Sequence, residues 1–451
     1  MGRPLHFCAM VAILLHWAAE APGANCTVTS VHKTPLNDLG PGLYLNLYEG
    51  GLYPHGLNLP PVPHETEGVA RARGIQPLDI NGAPSPGGKI VMLSIGMSNT
   101  TQEFCSQGSN EPCDWWTFMG QAATDSRVNH TTLVIVNGAR GGQDAATWDS
   151  PDDANYDGVR DAKLTTKGLT EKQVQIVWVK EADKGPTTHL PAANANAYGL
   201  ESRLAAIARA VKVRYPNATL VFYSSRIYAG YATGVSNLNP EPYSYESGFS
   251  VKWLIEAQIR QMAGGGLDPI AGNVDYRSVA PFLAWGPYLW ADGTTPRSDG
   301  LVWLCSDLDT DGTHPSQSGE QKVGTMLLDF MLQSPFTAPW FRAACPAGPD
   351  ADSDGVADTC DLCPNTISGV PVDTVGCPPA IPGDMNRDGD VDSDDSTAFK
   401  TCDTGPNIVV RSADCVRADF DGDGDIDQTD FGLLQRCITG PNTPADPSCA
   451  N

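Results

Sequence analysis

The sequence has few basic side chains for its length. Of its 451 residues, 29 are Lys or Arg and 53 are Asp or Glu, which gives a formal net charge of −24. Nucleic-acid-binding proteins need a basic surface, so this composition argues against that class. Beyond the N-terminal segment, no apolar stretch approaches the ~20 residues of a membrane-spanning helix. A His-Glu-x-x-His motif is also lacking, which argues against a zinc peptidase of that type.

Glutamate is missing from the C-terminal part of the chain. From Cys345 onward there are 21 Asp, no Glu and 5 Lys or Arg. Short carboxylates at intervals of two residues are typical Ca²⁺ ligands and are less typical of a solvating tail. Large apolar residues are scarce in the same region, so disulfides or metal ions must stabilise its fold.

The N-terminal segment resembles a secretory signal peptide. A basic flank is followed by the apolar run from Phe7 to Trp17 and then by small residues. We predict a signal peptide over residues 1–24, with cleavage after Ala24 and Ala21 as the alternative. Loss of Cys8 with this segment would leave 12 cysteines, an even number suited to disulfides outside the cell. The sequence therefore predicts a secreted protein.

Apolar segments alternate with helical periodicity across residues 89–334. The predicted strands are Ile90–Ile95, Leu133–Val136, Val174–Val179, Leu220–Tyr223 and Phe282–Trp285. Helices are predicted around residues 200–216, from Trp253 to Met262, and after a cap at Ser316. This alternation predicts a three-layer α/β/α fold with a parallel sheet. We place this core in a domain over residues 25–340, with residues 25–86 as an N-terminal extension that contains a strand over residues 43–48.

Ser98 follows the first of these strands. The run from Ile90 to Gly96 ends in Gly, and the hydroxyl of Ser98 comes two residues later. A buried parallel strand delivers such a residue to the carboxyl edge of the sheet, where ligands collect. Ser98 is therefore a candidate nucleophile, and the alternative is a serine that only caps a helix or satisfies a turn. Asn99 begins an Asn-x-Thr sequon, where a glycan would obstruct chemistry.

Two later motifs supply the other parts of a nucleophilic site. Asp311 lies three residues before His314 and just ahead of the last predicted helix, a spacing that lets the carboxylate orient the imidazole. The alternative is a turn or Ca²⁺ site, because Asp307, Asp309 and Asp311 alternate. The second motif is a Gly-rich loop after the strand at Leu133, where a backbone N–H can approach an oxyanion. A tight strand-to-helix turn is the alternative there.

Together these motifs resemble the SGNH (GDSL-like) hydrolase family. Ser98, Gly142 (or its neighbour Gly141), and Asp311 with His314 fall in order on the family's nucleophile, oxyanion and Asp-x-x-His positions. The resemblance implies a flavodoxin-like α/β fold and a serine esterase without a catalytic cofactor. The Ala139–Gly142 loop, with Trp148 after it, is most similar to the carbohydrate-esterase branches of the family. An acylated carbohydrate is the substrate that this implies.

Two positions depart from the family pattern. Met97 stands where the family has Asp in its Gly-Asp-Ser motif. The third-strand segment ends in Lys180-Glu181-Ala182-Asp183, without the family's Asn. The second oxyanion donor is therefore unassigned, with Lys180, Asn194 and Asn196 as the alternatives. Elbow-type serine hydrolases fit less well, because Ser98 lacks their trailing Gly.

Three windows in the Asp-rich tail fit calcium loops with ligands at positions 1, 3, 5, 7, 9 and 12 and Gly at position 6. The predicted ligands are Asp350, Asp352, Asp354, Val356 (through its carbonyl), Asp358 and Asp361 in the first; Asp384, Asn386, Asp388, Asp390, Asp392 and Asp395 in the second; and Asp419, Asp421, Asp423, Asp425, Asp427 and Asp430 in the third. Position 12 is Asp in all three loops. This predicts structural, extracellular Ca²⁺ sites, without the opening movement of a sensor EF-hand.

The tail divides into two modules by resemblance. Residues 341–380 resemble a thrombospondin type 3 repeat, and residues 381–451 resemble a type I dockerin with two EF-hand-type loops. A dockerin implies a cohesin-like or cell-surface partner, and the alternative is a module that calcium only stiffens. We expect the disulfides Cys105–Cys113, Cys345–Cys360, Cys363–Cys377, Cys402–Cys415 and Cys437–Cys449, which leaves Cys26 for Cys305.

The sequence thus favours a secreted SGNH-type esterase that deacylates a carbohydrate, with no nucleic acid and no membrane span. The alternative from another class is a non-catalytic extracellular adhesion or scaffold protein that binds calcium and carries a degenerate hydrolase domain.

Overall fold

A computed structural model describes residues 23–105, 111–233, 239–410 and 412–450. The predicted signal peptide lies outside these residues except for Gly23 and Ala24. The strands are β1 (Leu43–Tyr44), β2 (Tyr48–Glu49), β3 (Ile90–Gly96), β4 (Leu133–Asn137), β5 (Val174–Lys180), β6 (Leu220–Tyr223) and β7 (Phe282–Trp285). The α-helices are α1 (Leu36–Leu39), α2 (Val62–Arg73), α3 (Ser98–Phe104), α4 (Phe118–Thr124), α5 (Ala154–Val159), α6 (Asn196–Arg214), α7 (Tyr243–Met262), α8 (Gln317–Gln333), α9 (Ala338–Phe341), α10 (Ser393–Cys402) and α11 (Gln428–Cys437).

The core is a parallel five-stranded sheet in the order β4-β3-β5-β6-β7. All five strands match the apolar runs in the sequence to within a residue or two at their ends. β3 lies inside the sheet, and its seven residues are all buried. Strands covered on both faces are apolar throughout, which is why these segments read as continuous runs instead of alternating patterns.

Helices cover both faces of the sheet. On β6, Phe222 contacts Phe330 of α8 with ring centroids 5.3 Å apart, whereas the next residue, Tyr223, donates a hydrogen bond to the carbonyl of Leu204 in α6. Successive strand residues therefore face opposite helical layers. The predicted α/β/α class is confirmed. Within the described residues, no helix is both long enough and apolar enough to cross a membrane.

The N-terminal extension differs from its prediction in two ways. The strand predicted over residues 43–48 is a tight hairpin, β1 and β2, because Leu45 and Asn46 adopt left-handed φ values of +54° and +58°. Helix α2 was not predicted in this Pro-rich stretch. It begins after Pro61 and packs on the sheet through His64, whose ring stacks on Phe282 at 4.2 Å.

Helix α7 begins ten residues before its predicted start. Its first half is aromatic and fully packed, since Tyr245 and Phe249 both contact Tyr44 of the hairpin. This contact between distant parts of the chain extends the helix beyond the periodic segment that predicts it. Tertiary packing commonly sets helix ends in this way.

The cysteines form the six expected disulfides, so the predicted pairing is confirmed. The pairs are Cys26–Cys305, Cys105–Cys113, Cys345–Cys360, Cys363–Cys377, Cys402–Cys415 and Cys437–Cys449. Four of them lie in the C-terminal region, where the apolar cluster around Phe399 and Phe420 is small. Disulfides supply the stability that so small a core lacks.

The C-terminal region packs against α2. Glu65 accepts a hydrogen bond at Oε1 from Arg387, and Arg417 lies 3.6 Å from the same oxygen. Arg73, at the other end of α2, lies 3.4 Å from Asp373. The helix that the sequence did not reveal is therefore also the surface on which the tail docks.

Candidate active site

Ser98 lies at the carboxyl edge of the sheet, as the first residue of α3. The turn from β3 into α3 needs glycine at position 96, because a Cβ there would overlap the Thr100 hydroxyl and lie 2.6 Å from the Lys180 carbonyl oxygen. Thr100 donates a hydrogen bond to that same carbonyl over 2.7 Å. The start of α3 is thus held against the end of β5, and this fixes the position of Ser98.

Three side chains predicted from distant motifs meet at this point. Ser98 Oγ lies 2.7 Å from His314 Nε2, and Nδ1 of the same ring lies 2.5 Å from Asp311 Oδ2. The other Asp311 oxygen accepts hydrogen bonds from the backbone N–H groups of Thr313 and His314, each over 2.9 Å. The carboxylate therefore orients both the ring and the loop that carries it.

Asp311 is held in its charged form. Partial burial acts to raise its pKa, but the hydrogen bonds from His314 and from the two backbone amides outweigh that effect and lower the pKa to about 2. A charged Asp311 fixes the proton of His314 on Nδ1 and leaves Nε2 to accept the proton of Ser98. This is the arrangement that a general base requires.

The alternative of a metal site at residues 307–311 is not favoured by these contacts. Asp311 is engaged by His314, while Asp307 pairs with Lys322 and accepts the backbone N–H of Leu304 over 2.8 Å. These carboxylates do not converge on a common point within the described structure. Their alternation falls in the turn at Cys305–Asp307 and the loop between it and α8.

Asn99 holds the loop that carries His314 in place. Its side chain is buried and donates through Nδ2 to the carbonyl of Thr313 over 2.9 Å. A glycan on Nδ2 would have no room beside this buried side chain. The sequon at Asn99 is therefore incompatible with the folded site.

The oxyanion loop brings Gly141, not Gly142, next to the nucleophile. A Cβ at Gly141 would lie 3.8 Å from that of Ser98, whereas one at Gly142 would have no described atom within 4 Å. Gly142 adopts a left-handed φ of +75°, a conformation that favours glycine. The structure thus distinguishes the two neighbouring glycines that the sequence left open.

None of the three candidates for the second oxyanion donor is directed at Ser98. Lys180 is buried at the end of β5 and pairs with both carboxylate oxygens of Glu103, which is also buried. Asn196 accepts hydrogen bonds from the amides of Thr187 and Thr188 at the start of α6. Asn194 is exposed. Neither asparagine lines the cavity beside Ser98.

An open cavity of about 470 Å³ adjoins Ser98. Gly141 and Arg140 of the oxyanion loop form one wall, and residues of α5 and the helical turn after it form the other. Trp148 is fully buried at this cavity, and its indole Nε1–H has no hydrogen-bond acceptor within the described ranges. The sequence pattern indicated Trp148 only through resemblance, and it gave no sign of the cavity.

The Asp-rich windows all fold into the same kind of loop. In each one, the carboxylate at position 1 accepts the N–H of the glycine at position 6: Asp350 from Gly355, Asp384 from Gly389, and Asp419 from Gly424, at 2.9–3.0 Å. All three glycines have φ between +96° and +99°. In the second and third loops, the Asp at position 9 caps the following helix, α10 or α11.

In each predicted calcium loop, some of the carboxylate ligands lie close together. Carboxylate oxygens lie within 4.8 Å of one another in four groups: Asp350, Asp352 and Asp354; Asp390, Asp392 and Asp395; Asp419, Asp421 and Asp430; and Asp425, Asp427 and Asp430. The remaining predicted ligands lie in the same loops outside these groups: Val356, Asp358, Asp361, Asp384, Asn386, Asp388 and Asp423.

The gathered carboxylates fit a cation. Burial, followed by repulsion from neighbouring carboxylates, raises the pKa of Asp384 and of Asp419 to about 7, against partial relief from backbone N–H groups. Oδ1 of both Asp390 and Asp425 is buried without a donor in the described part of the chain. A divalent cation would supply the missing partner and remove the repulsion.

Comparisons with known proteins add little to this picture. No protein-family model and no curated protein matches the chain. Among solved structures, it is similar to a candidate GDSL-like lipase from Parabacteroides merdae (13% identity, TM-score 0.28, covering 54% of this chain and 95% of that one). It is also similar to a family two carbohydrate esterase from Cellvibrio japonicus (13%, 0.29, 56% and 62%) and to an extracellular lipase from Streptomyces rimosus (15%, 0.25, 53% and 97%). At these levels of similarity, the geometry of the site alone carries the functional argument.

Proposed function

We propose that this protein is a secreted serine esterase of the SGNH type. The observation that carries the proposal is the continuous contact from Ser98 Oγ through the His314 ring to Asp311 Oδ2, at 2.7 and 2.5 Å. A nucleophile, a base and a group that orients the base are the parts that acyl transfer requires. The dense disulfides support an extracellular location.

The proposed reaction has two steps. In the first, His314 Nε2 takes the Ser98 proton while Ser98 Oγ bonds to the ester carbonyl carbon, and the alcohol leaves with the proton from His314. In the second, water loses a proton to His314, attacks the acyl-enzyme and releases the acid, and the proton returns to Ser98. The backbone N–H groups of Ser98 and Gly141 stabilise the oxyanion in both steps. A carbohydrate remains the proposed alcohol.

In the tail, we propose that Ca²⁺ binds the three loops. Their gathered carboxylates, the shared turn and the buried oxygens without donors support it. The ion would hold the loops in place and has no part in the esterase reaction. Binding of a cohesin-like partner stays a prediction.

Hydrolysis of p-nitrophenyl acetate tests the esterase. We expect Ser98→Ala to abolish turnover and Asp311→Asn to lower kcat about 10³–10⁴-fold, because the amide no longer fixes the base tautomer. Ser85→Ala is a matched control, since Ser85 precedes β3 at the opposite edge of the sheet. Equal rates for the wild type and Ser98→Ala on every p-nitrophenyl ester, short or long, would contradict the proposal and would favour the non-catalytic scaffold.

A further inference from the structure

The cavity beside Ser98 lies on one side of the nucleophile only. Ser98 and Gly141 line it, whereas His314 and Asp311 do not. In the proposed reaction, His314 gives its proton to the departing alcohol, so the alcohol lies on the histidine side. In the same proposed reaction, the backbone N–H of Gly141, which also lines the cavity, donates to the carbonyl oxygen. The acyl chain therefore extends into the cavity.

One face of a helical segment forms the far wall. Asn155, Gly158, Val159, Ala162 and Lys163 line the cavity at spacings of three and four residues. The small residues Gly158 and Ala162 leave the cavity open on this side. A Cβ at Gly158 would have no described atom within 4 Å. The room provided is much larger than an acetyl group needs.

Among the residues that the structure describes, the charged side chains that line this cavity are both basic. They are Arg140 on the loop wall and Lys163 on the helical wall. The acidic residues near this helical segment pair with other cations: Asp157 pairs with Arg160 and Arg214, and Asp161 pairs with Arg160. Glu111 acts electrostatically on Lys163, but its ion pair is with Lys167. A basic pocket in a chain with a net charge of −24 is a local feature that composition does not explain.

The walls also hold polar groups without partners. Trp148 Nε1 and Gln102 Oε1 are buried and make no hydrogen bond within the residues that the structure describes. The indole can only donate. The Gln102 amide can present either its oxygen or its N–H₂ group after a half-turn. A carboxylate would accept from the indole and, after such a turn, from the amide.

We infer that this cavity binds the acyl part of the ester and selects an acyl chain that carries a carboxylate, with Arg140 and Lys163 as counter-charges. The inference rests on the proposed esterase function. Its substrates are half-esters of dicarboxylic acids, in which one carboxyl is esterified to the alcohol and the other remains free. The free carboxylate binds at the two basic side chains that line the cavity.

Two esters of equal acyl chain length test whether the cavity prefers an acyl chain that carries a carboxylate. They are p-nitrophenyl hexanoate and the p-nitrophenyl half-ester of adipic acid, each measured against its enzyme-free rate. We expect kcat/KM for the adipate to exceed that for the hexanoate at least tenfold, and Arg140→Gln or Lys163→Gln to lower this ratio about tenfold. High salt should lower it in the wild type. Lys184→Gln is the control, because this exposed lysine lies on the loop after β5 and does not line the cavity.

A further substitution tests whether the acyl chain occupies the cavity. Gly158→Leu should lower kcat/KM for both six-carbon esters at least tenfold relative to the acetate, since its side chain occupies the cavity. Gly432→Leu in α11 is the matched control, because a Cβ there also has no described atom within 4 Å. Melting temperatures of all variants show that they fold.

The outcomes separate this inference from the esterase proposal. Ser98-dependent hydrolysis without a preference for the adipate, or with a preference that survives both charge substitutions, overturns the inference and leaves the esterase standing. Absence of Ser98-dependent hydrolysis for every ester overturns the esterase. Calorimetric titration of free adipate into Ser98→Ala is independent of turnover: we expect binding that Arg140→Gln weakens about tenfold, and absence of binding overturns the inference.

Discussion

The proposed calcium binding predicts that a chelator destabilises the C-terminal region more at pH 8 than at pH 5. Without a cation, Asp384 and Asp419 lie buried beside other carboxylates, and this burial and repulsion raise their pKa to about 7. In the unfolded chain both groups would titrate near the ordinary value of about 3.9. Between these values, the folded form binds more protons than the unfolded form.

The sign and size of the effect follow from this difference. Stability changes with pH according to the protons bound by the unfolded form minus those bound by the folded form, which is negative here. In chelator, stability is full below about pH 4 and is lost as pH rises toward 7. Each group contributes about 1.4 kcal/mol per pH unit, so about 4 kcal/mol per group over the window. That is large for a region with so small an apolar core.

Calcium should reverse the trend. The ion binds carboxylates only after their protons leave, so its affinity, and the stability it adds, rise with pH. Scanning calorimetry of the full chain, with chelator or with calcium at pH 5 and pH 8, measures both signs. We expect the transition of the hydrolase domain to stay in place when calcium is removed, since its own core does not include the loops.

Two variants sharpen the measurement. Asp419→Asn imitates the protonated acid, so it should flatten the pH dependence in chelator and weaken the effect of calcium. Asp394→Asn, at an exposed position of the second loop that is not a predicted ligand, should do neither. A calorimetric trace unchanged by chelator at both pH values would refute the reasoning, and so would a tail that becomes more stable with rising pH in chelator.

Two further predictions concern the hydrolase domain. Glu103→Gln should lower the stability of this domain by about 3–5 kcal/mol, because it leaves Lys180 buried without a counter-charge. Adding Lys180→Met to this variant should raise the melting temperature part of the way back. If the double variant instead loses as much stability again, the prediction is wrong. Burial lowers the pKa of His64 to about 4, against the partial opposing effect of its hydrogen bond to Leu283, so this residue adds stability above pH 6.5 that is lost as pH falls toward 4. His64→Gln should flatten this acid limb of the melting curve, which an unchanged slope would contradict.

The sequence predicts the sheet well because its strands are buried on both faces and read as uninterrupted apolar runs. It predicts the triad for a different reason: Ser98, Asp311 and His314 each follow or precede a regular element, so the fold decides where they meet. The disulfides within the tail could be predicted because the paired cysteines lie close in sequence, at separations of 12–15 residues.

What the sequence could not reveal depends on contacts between distant segments or on empty space. Helix α2 and the β1–β2 hairpin are set by packing against α7 and β7, which no local pattern records. The choice between Gly141 and Gly142 depends on the direction of one turn. The cavity beside Ser98 lies between a loop and a helical segment that do not pack against each other. No sequence pattern predicts such an empty space.

The contacts of Lys180 bear on the position where the SGNH pattern has an asparagine and this sequence has none. Lys180 stands at the end of the third sheet strand and pairs with Glu103, so it does not replace that side-chain donor. In the proposed mechanism, the oxyanion then depends on the backbone N–H groups of Ser98 and Gly141, and loss of one donor typically costs 10²–10³ in turnover. Binding energy from a remote part of the substrate can offset such a loss when it is realised in the transition state. A carboxylate held by Arg140 and Lys163 would supply it, and a short acetate could not. On this reasoning, acetate esters are poor substrates of a site that is fully active only on long acidic ones.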